Sequence, residues 1–387
     1  MPIIRALRSK HSSRFWGRAM HIALVVPGGV DRSGEYRVIP ALLALIERLS
    51  LRHEVQVFAL NQETQPGSWE LAGATIHNIG ERRTLVRAIR MIRAYHRIRP
   101  FDLIHSIWSG PCSVAAVVVA QMAGIPSVVH IGGGELAAVP EIQYGGALSW
   151  RGRLREALIL RAASAVTAAS EPTIETLSGL GIKAQCIPLG VDLNAWPPRE
   201  PVRRDQGATA RLIHVASLNR VKDQTTLLRA LEALERRGID FEMTVIGEDT
   251  LGGQIQSMAG LLGLTAKIVF CGFLPQRRLL PLVESAHLMI LSSRHETGPV
   301  AMLEAAAVGV PTVGTAVGHI AEWAPSAALS VPVGDWAGLA EAIRELLSDE
   351  EQRLRIALQA KRRALSKDAD YTAREFQALY ERLARAA

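Results

Sequence analysis

Short, mostly apolar runs alternate with longer amphipathic ones along this chain. In the first half, residues 21–26, 55–60, 103–105, 127–131 and 165–168 are brief and apolar, as strands buried on both faces of a parallel sheet read. Between them lie segments with apolar residues at helical spacing, such as 37–51 and 81–98. Alternation of this kind predicts a parallel sheet with helices on both faces. Right-handed crossovers then gather the loops after the strands on one rim, where ligands bind. A stretch rich in proline, charge and glycine, residues 195–207, reads as a linker. A second series follows, with strands expected at 211–216, 242–246, 267–270, 288–291 and 312–314. From Asp335 the tail is helical, alanine-rich and charged. The expected fold class is α/β: two Rossmann-like, doubly wound domains, at 20–198 and 208–365 with 199–207 between them, facing across a cleft. Clefts between domains are where small ligands usually sit.

A length of 387 residues agrees with two domains. Hydrophobic residues at 48% and charged ones at 21% exclude wholesale disorder. Cys112, Cys186 and Cys271 share no metal-ligand spacing and read as reduced core thiols, which suits a cytosol. No apolar run reaches the ~18 residues of a membrane span. Residues 1–19 are basic and precede the apolar 21–26, but Pro27-Gly28-Gly29 interrupts the run and no small-residue cleavage site follows. Met20 offers an alternative start, with 1–19 then a basic extension that is not translated. The net charge of +7 lies entirely in residues 1–200, where 22 Lys and Arg face 15 Asp and Glu. That bias favours an acidic partner or anionic surface there.

The most informative segment runs from Ser292 to Val313, Ser-Ser-Arg-His-Glu-Thr-Gly-Pro-Val-Ala-Met-Leu-Glu-Ala-Ala-Ala-Val-Gly-Val-Pro-Thr-Val. A strand ends at Ser292. Thr297 or Gly298 is expected to cap a helix, Pro299 suits its first turn, and Gly309 with Pro311 ends it. Free N–H groups near Val300 and Ala301, at the positive helix end, suit a phosphate. Glu296 precedes that site. Glu304 lies one turn beyond Val300 on the same helix face. Two carboxylates flanking a phosphate cradle suit the hydroxyls on either side of a diphosphate, the shape of a nucleotide-sugar.

This Glu-x7-Glu segment resembles the family-four retaining glycosyltransferases, which have the GT-B fold, and the resemblance extends over nearly the whole chain from Met20. Pro27-Gly28-Gly29 with Ser33-Gly34-Glu35 is similar to the family's glycine loop. Pro100-Phe-Asp-Leu-Ile-His105, Ser170-Glu-Pro, Ile187-Pro-Leu-Gly-Val-Asp192 and Val215-Ala-Ser-Leu-Asn-Arg-Val-Lys222-Asp resemble further family motifs. The resemblance implies that Glu296 contacts the donor sugar and Glu304 the ribose. It implies that Lys222 binds the diphosphate with the N–H groups of Gly298, Val300 and Ala301, and that Gly28 and Gly29 let backbone approach the phosphates. It implies that the last helix, 366–387, crosses back to the first domain. A fixed cation and a helix N-terminus stabilise the charge gained by a leaving diphosphate.

Two departures stand out. Ser217 occupies the place of an arginine usual in the family, with Arg220 as a candidate substitute, although arginine and serine do different work. Gly132 occupies the place of the usual acceptor-side histidine; His130 and Glu135 are the nearby polar candidates. Gly28 and Gly29 fit a tight turn equally well, His105 reads as packing at a strand end, and His295 carries no assigned role. Asp368-Ala-Asp370 matches a metal motif only superficially, so no essential metal or other cofactor is expected.

The expected function is transfer of a hexosyl unit from a nucleotide-diphosphate sugar, with retention, to an unidentified glycan, lipid-linked or small-molecule acceptor. The rivals are a nucleotide-sugar epimerase of the same fold and a non-catalytic sugar-nucleotide-binding partner. Residues 81–99 also bear Arg82, Arg83, Arg87, Arg90, Arg93 and Arg97 beside an apolar stripe. They read as a solvated face or as a dock for anionic lipid on the inner face of the cytoplasmic membrane. Phe15 and Trp16 would add a second anchor. No recognition motif for nucleic acid is present.

Overall fold

The computed structural model describes residues 18–386. Two sheets form. The first holds β1 (His21–Val26), β2 (Glu54–Ala59), β3 (Gly67–Leu71), β4 (Ala74–Asn78), β5 (Leu103–Ile107), β6 (Ser127–Ile131), β7 (Ala165–Ala168) and β8 (Gln185–Cys186). Its order is β3-β4-β2-β1-β5-β6-β7-β8, and only the β3–β4 pair is antiparallel. The second holds β9 (Ala210–Val215), β10 (Phe241–Ile246), β11 (Ile268–Gly272), β12 (Leu288–Leu291), β13 (Thr312–Thr315) and β14 (Leu329–Val331), all parallel, in the order β11-β10-β9-β12-β13-β14. Helices α1 (Pro40–Ser50), α2 (Thr84–Ile98), α3 (Pro111–Ala123), α4 (Trp150–Ala162) and α5 (Glu171–Gly179) serve the first sheet. The second sheet is served by α6 (Gln224–Arg236), α7 (Gln254–Leu261), α8 (Gln276–Glu284), α9 (Val300–Ala307), α10 (Gly318–Trp323), α11 (Trp336–Ser348) and α12 (Glu350–Ser366). The last helix, α13 (Ala369–Ala386), leaves the second domain.

The central strands are fully buried apolar runs because helices cover both faces. One face of the first sheet packs Ile22, Leu24 and Val26 against α1; the other packs Ala23 and Val25 against α2 and α3. Helix α13 joins the first of these cores through Phe376, Leu379 and Tyr380. The Tyr380 hydroxyl lies 2.6 Å from Nδ1 of His105, so His105 sits inside the core of β5 and not at its end. Arg48 of α1 meets Asp192 at 2.8 Å and also pairs with Asp370. Asp368 accepts the Tyr371 N–H at 2.7 Å. The two aspartates thus hold the start of α13 in place.

Local chemistry trims several expected elements. α1 begins at Pro40 and not at 37, because Arg37 has φ of +51° and proline disfavours helix in the residue before it. α2 begins at Thr84 and not at 81, because Arg83 is left-handed at φ +50°. The stretch read as a linker is pinned. Trp196 is buried in the second domain's core, and Arg353, 1% exposed, donates to the carbonyls of Val202 and His287 while pairing with Glu350. Only Cys112 is a buried thiol; Cys186 and Cys271 are half-buried, which corrects the reading of all three as core residues. Residues 1–17, with the anchor read at Phe15 and Trp16, lie outside the described residues. No helix among the described residues is long and apolar enough to cross a membrane.

Phe376→Ala is expected to destabilise the protein by about 3–5 kcal/mol, because a fully buried ring is lost where the chain end is anchored. Urea unfolding monitored by circular dichroism measures it.

Candidate donor-binding site at the domain seam

The carboxyl ends of the two sheets face each other. After β9 the chain turns through Ser217 to Asp223, the N-cap of α6. Asn219 Oδ1 accepts the N–H groups of both Val221 and Lys222 at 3.0 Å, and Ser292 donates to the Lys222 carbonyl at 2.9 Å. The Lys222 backbone is therefore fixed on both sides. Its Nζ lies 2.5 Å from Glu296 Oε1, which also accepts from the Ser293 hydroxyl at 2.6 Å. The lysine side chain is 26% exposed and the glutamate 11%, so the pair is shielded but reachable.

Glu296 lies in the loop between β12 and α9. Pro299, not Thr297 or Gly298, is the residue before the first helical turn. The Thr297 hydroxyl instead crosses to the other domain and donates to the Gly133 carbonyl at 2.7 Å. The N–H groups of Val300 and Ala301 find no acceptor among the described residues, so the helix start keeps its two free donors. Gly298 leaves no space for more: a Cβ there would stand 2.9 Å from His319 Nε2.

A cavity of about 450 Å³ opens between these walls. Lys222, Glu296 and Gly298 line it from the second domain, with Asn219 and His295; Gly132, Gly133 and Tyr144 line it from the first. Burial, then the charges of Glu296 and Glu135, raise the Tyr144 pKa, so its hydroxyl stays a proton donor. Tyr144 carried no signal in the sequence: it sits in a loop whose path only the fold determines. Asn219 stood inside the Val215–Asp223 motif but was given no role of its own. Ser293 lay within the recognised motif.

Glu304 occupies a separate position. It is 7% exposed, and its Oε1 accepts from Gln276 Nε2 at 3.1 Å. Burial pushes its pKa up from 4.5 to about 7. Gln276 also lines the wider cleft between the domains, together with Gly34 and Glu35 from the first domain and Phe273 and Arg277 from the second. Across that cleft Arg277 pairs with Glu35 at 3.2 Å and Tyr36 faces Phe273 with ring centres 5.6 Å apart.

Other expected site residues are placed elsewhere. His130 is wholly buried under the loop, with Nδ1 2.9 Å from Thr167 Oγ1 and its ring 5.5 Å from Phe376. Burial pushes its pKa to about 3, so it is neutral. It does not line the cavity because it lies beneath Gly132 on the same side of β6, where Thr167 and Phe376 cover it: a Cβ on Gly132 would stand 3.4 Å from its ring. Glu135 accepts the N–H groups of Ser109, Gly132 and Gly133, at 3.1, 3.3 and 2.7 Å, and so shapes the glycine turn from beneath. Arg220 is exposed beside a different groove with Arg294 and Asp223, and does not replace the arginine absent at Ser217. Among the described residues, Lys222 is therefore the only Lys or Arg lining the cavity. Gly28 and Gly29 line neither space; a Cβ on Gly29 would meet Ile39 at 2.6 Å, and φ there is +81°, so Gly29 serves a tight turn.

Residues 201–363 match the family model described as Glycosyl transferases group 1, and residues 38–190 match the Glycosyl transferase 4-like domain. The chain is therefore a glycosyltransferase with the GT-B fold, its second domain of the group 1 type and its first of the 4-like type. It is 24% identical to the putative glycosyltransferase EpsF of Bacillus subtilis (strain 168), over 76% of this chain and 78% of that one. It is 29% identical to glycogen synthase of Mycobacterium tuberculosis (strain ATCC 25618 / H37Rv), over 74% and 72%. Its fold matches sucrose-phosphate synthase from Thermosynechococcus elongatus with a TM-score of 0.82 at 18% identity, over 95% of this chain and all of that one. Anabaena HepE, solved with UDP and glucose, matches with a TM-score of 0.74 at 17% identity, over 94% and 100%.

The buried carboxyl of Glu304 has a consequence for stability. An acid whose folded pKa is raised binds its proton more tightly when folded, so stability falls as pH rises from about 4.5 to about 7. Glu304→Gln is expected to stabilise the unliganded protein at pH 8, by up to about 3 kcal/mol, and to change little at pH 4.5. Thermal unfolding at the two pH values checks the sign.

Proposed function

We propose that this glycosyltransferase moves a hexosyl unit from a nucleoside-diphosphate sugar to an acceptor hydroxyl, with retention of configuration. The observation that carries the reading is the Lys222–Glu296 pair facing Tyr144 across the seam; the free N–H groups of Val300 and Ala301 follow two and three residues after the cavity-lining Gly298. The diphosphate lies against Lys222 and the start of α9, where a cation and two N–H donors offset its charge. Glu296 accepts from hydroxyls of the sugar. Glu304 and Gln276 take the ribose, and the base points into the wider cleft near Phe273. HepE, which shares the fold, was solved with UDP and with UDP-glucose, and that supports a donor of this class.

In the transfer, the bond between the anomeric carbon and the β-phosphate oxygen breaks and its electron pair leaves with the diphosphate. The acceptor oxygen bonds to the same face of that carbon, and its proton passes to the departing phosphate oxygen. A covalent sugar–enzyme intermediate is not part of this reading. Among the described residues Glu296 is the only acid lining the cavity, and its carboxylate is held by Lys222 and Ser293. Lys222 and the helix N–H groups supply the positive charge the leaving group needs, so the proposed reaction requires no metal.

A panel of nucleotide-sugars, scored first by thermal shift and then by turnover with and without acceptor mixtures, tests the reading. Proton NMR of the product shows whether the anomeric configuration is kept. Epimerised donor in the absence of acceptor, or donor binding with neither hydrolysis nor transfer, would overturn it. Lys222→Ala is expected to lower kcat about 10²–10³-fold, more than it raises KM. EDTA is expected to leave turnover unchanged; loss restored by manganese or magnesium would refute the metal-free mechanism.

A further inference from the structure

We infer that the outer face formed by α2, α3 and α4 docks on an anionic lipid bilayer, with one stripe of α4 entering the headgroup region. In α4, Trp150, Leu154 and Leu158 recur every four residues, so they share one side of the helix. They are 62%, 52% and 60% exposed, although each is a large apolar side chain. The opposite side, with Gly152, Glu156 and Leu160, is buried. The helix is thus anchored by its inner face and presents a fixed apolar ridge outward.

The charges around the ridge complete the pattern. Arg151, Arg153, Arg155 and Arg161 are all exposed on α4, and Arg151 lies over the Trp150 ring at 5.4 Å. The only acid on the helix, Glu156, is 6% exposed and accepts from the Ser109 hydroxyl, so it does not face solvent. α2 and α4 both pack on α3, on the same side of the first sheet. α3 carries no charged residue, and α2 adds Arg87, Arg90, Arg93 and Arg97 with no acid. None of these four has an ion-pair partner among the described residues. An apolar ridge holding tryptophan and leucine, rimmed by arginine and with no exposed acid on α2, α3 or α4, fits an anionic bilayer surface. A soluble acidic protein would answer the arginines but leave the ridge without a counterpart of fixed shape.

The position of the ridge ties it to the site. The loop that lines the cavity with Gly132, Gly133 and Tyr144 runs directly into the Ser149 cap of α4. A docked α4 therefore sets the first domain's side of the cavity close to the lipid surface. On the transferase reading above, on which this step rests, the acceptor is a hydroxyl carried by a membrane lipid.

Flotation of the full chain with vesicles of phosphatidylcholine, with and without phosphatidylglycerol, tests the docking without any activity readout. Binding is expected only to vesicles containing phosphatidylglycerol. It should fall steeply from about 0.01 M to about 1 M salt as screening shortens from ~30 Å to ~3 Å. Combining Trp150→Gln, Leu154→Gln and Leu158→Gln should cut partitioning on the order of tenfold or more, with unchanged circular dichroism and unchanged nucleotide binding. Arg151→Glu with Arg155→Glu should do the same at low salt. The idea fails if the full chain stays off these vesicles, or binds neutral ones as well. It fails equally if the triple variant binds like the unaltered chain, or if the ridge proves to join two copies in solution. Lys222→Ala protein should float normally while losing turnover, so a failure of docking and a failure of the transferase reading are told apart.

Discussion

The burial of Phe376 and Tyr380 beneath the first sheet is the constraint on which the site depends. These residues belong to a chain that has already completed the second domain. Packing them under β1 and β5 means the two domains are joined twice, by the pinned stretch around Trp196 and by α13. A cleft closed by a single linker would sample many separations. Here the Arg48 pairs with Asp192 and Asp370 brace both crossings at one place. That is why a hydrogen bond as particular as Thr297 to the Gly133 carbonyl forms between loops of different sheets.

Within that frame, the site divides its work by burial. Lys222 and Glu296 remain partly accessible and already pair with each other, so each is held ready while neither charge is left alone. Glu304 is deeper, with a neutral partner in Gln276, and pays for its place with a displaced proton equilibrium. Such strain at a polar position in an otherwise apolar core is expected where a side chain is kept for binding and not for stability.

Much of the fold was legible in the sequence. The expected strands at 127–131, 165–168 and 288–291 coincide with β6, β7 and β12, because each is a short, buried and mostly apolar run, with Gly132 and Ser292 marking where β6 and β12 stop. The β3–β4 hairpin was missed. Its residues, Ser68, Glu70, Thr75 and His77 among them, alternate with apolar ones at the sheet edge, and its turn is only Ala72-Gly73, both left-handed. Near the site, the segment 292–313 drew attention to Glu296 and Glu304, and its helix runs where spacing placed it apart from the cap. The departures came from tertiary placement. His130 and Glu135 look alike in sequence as polar residues near a glycine run, yet one lies in the core and the other beneath the turn. Arg220 and Lys222 are two residues apart and face different spaces. No local pattern encodes which side of a loop meets a second domain.

The turn at Gly132–Gly133 is built like an anion receptor whose guest is part of the chain. Three N–H groups converge on one carboxyl, that of Glu135. Left unfilled, such a cluster of donors would compete for any phosphate entering from the cleft. Filled from within, it is silent, and the two walls of the cavity become unlike each other. One wall attracts negative charge through Lys222; the other offers glycine backbone and a phenol. A long ligand with charge at one point of its length then meets a site with a direction, and the polarity with which it lies across the seam is set before any specific contact to its ends is made.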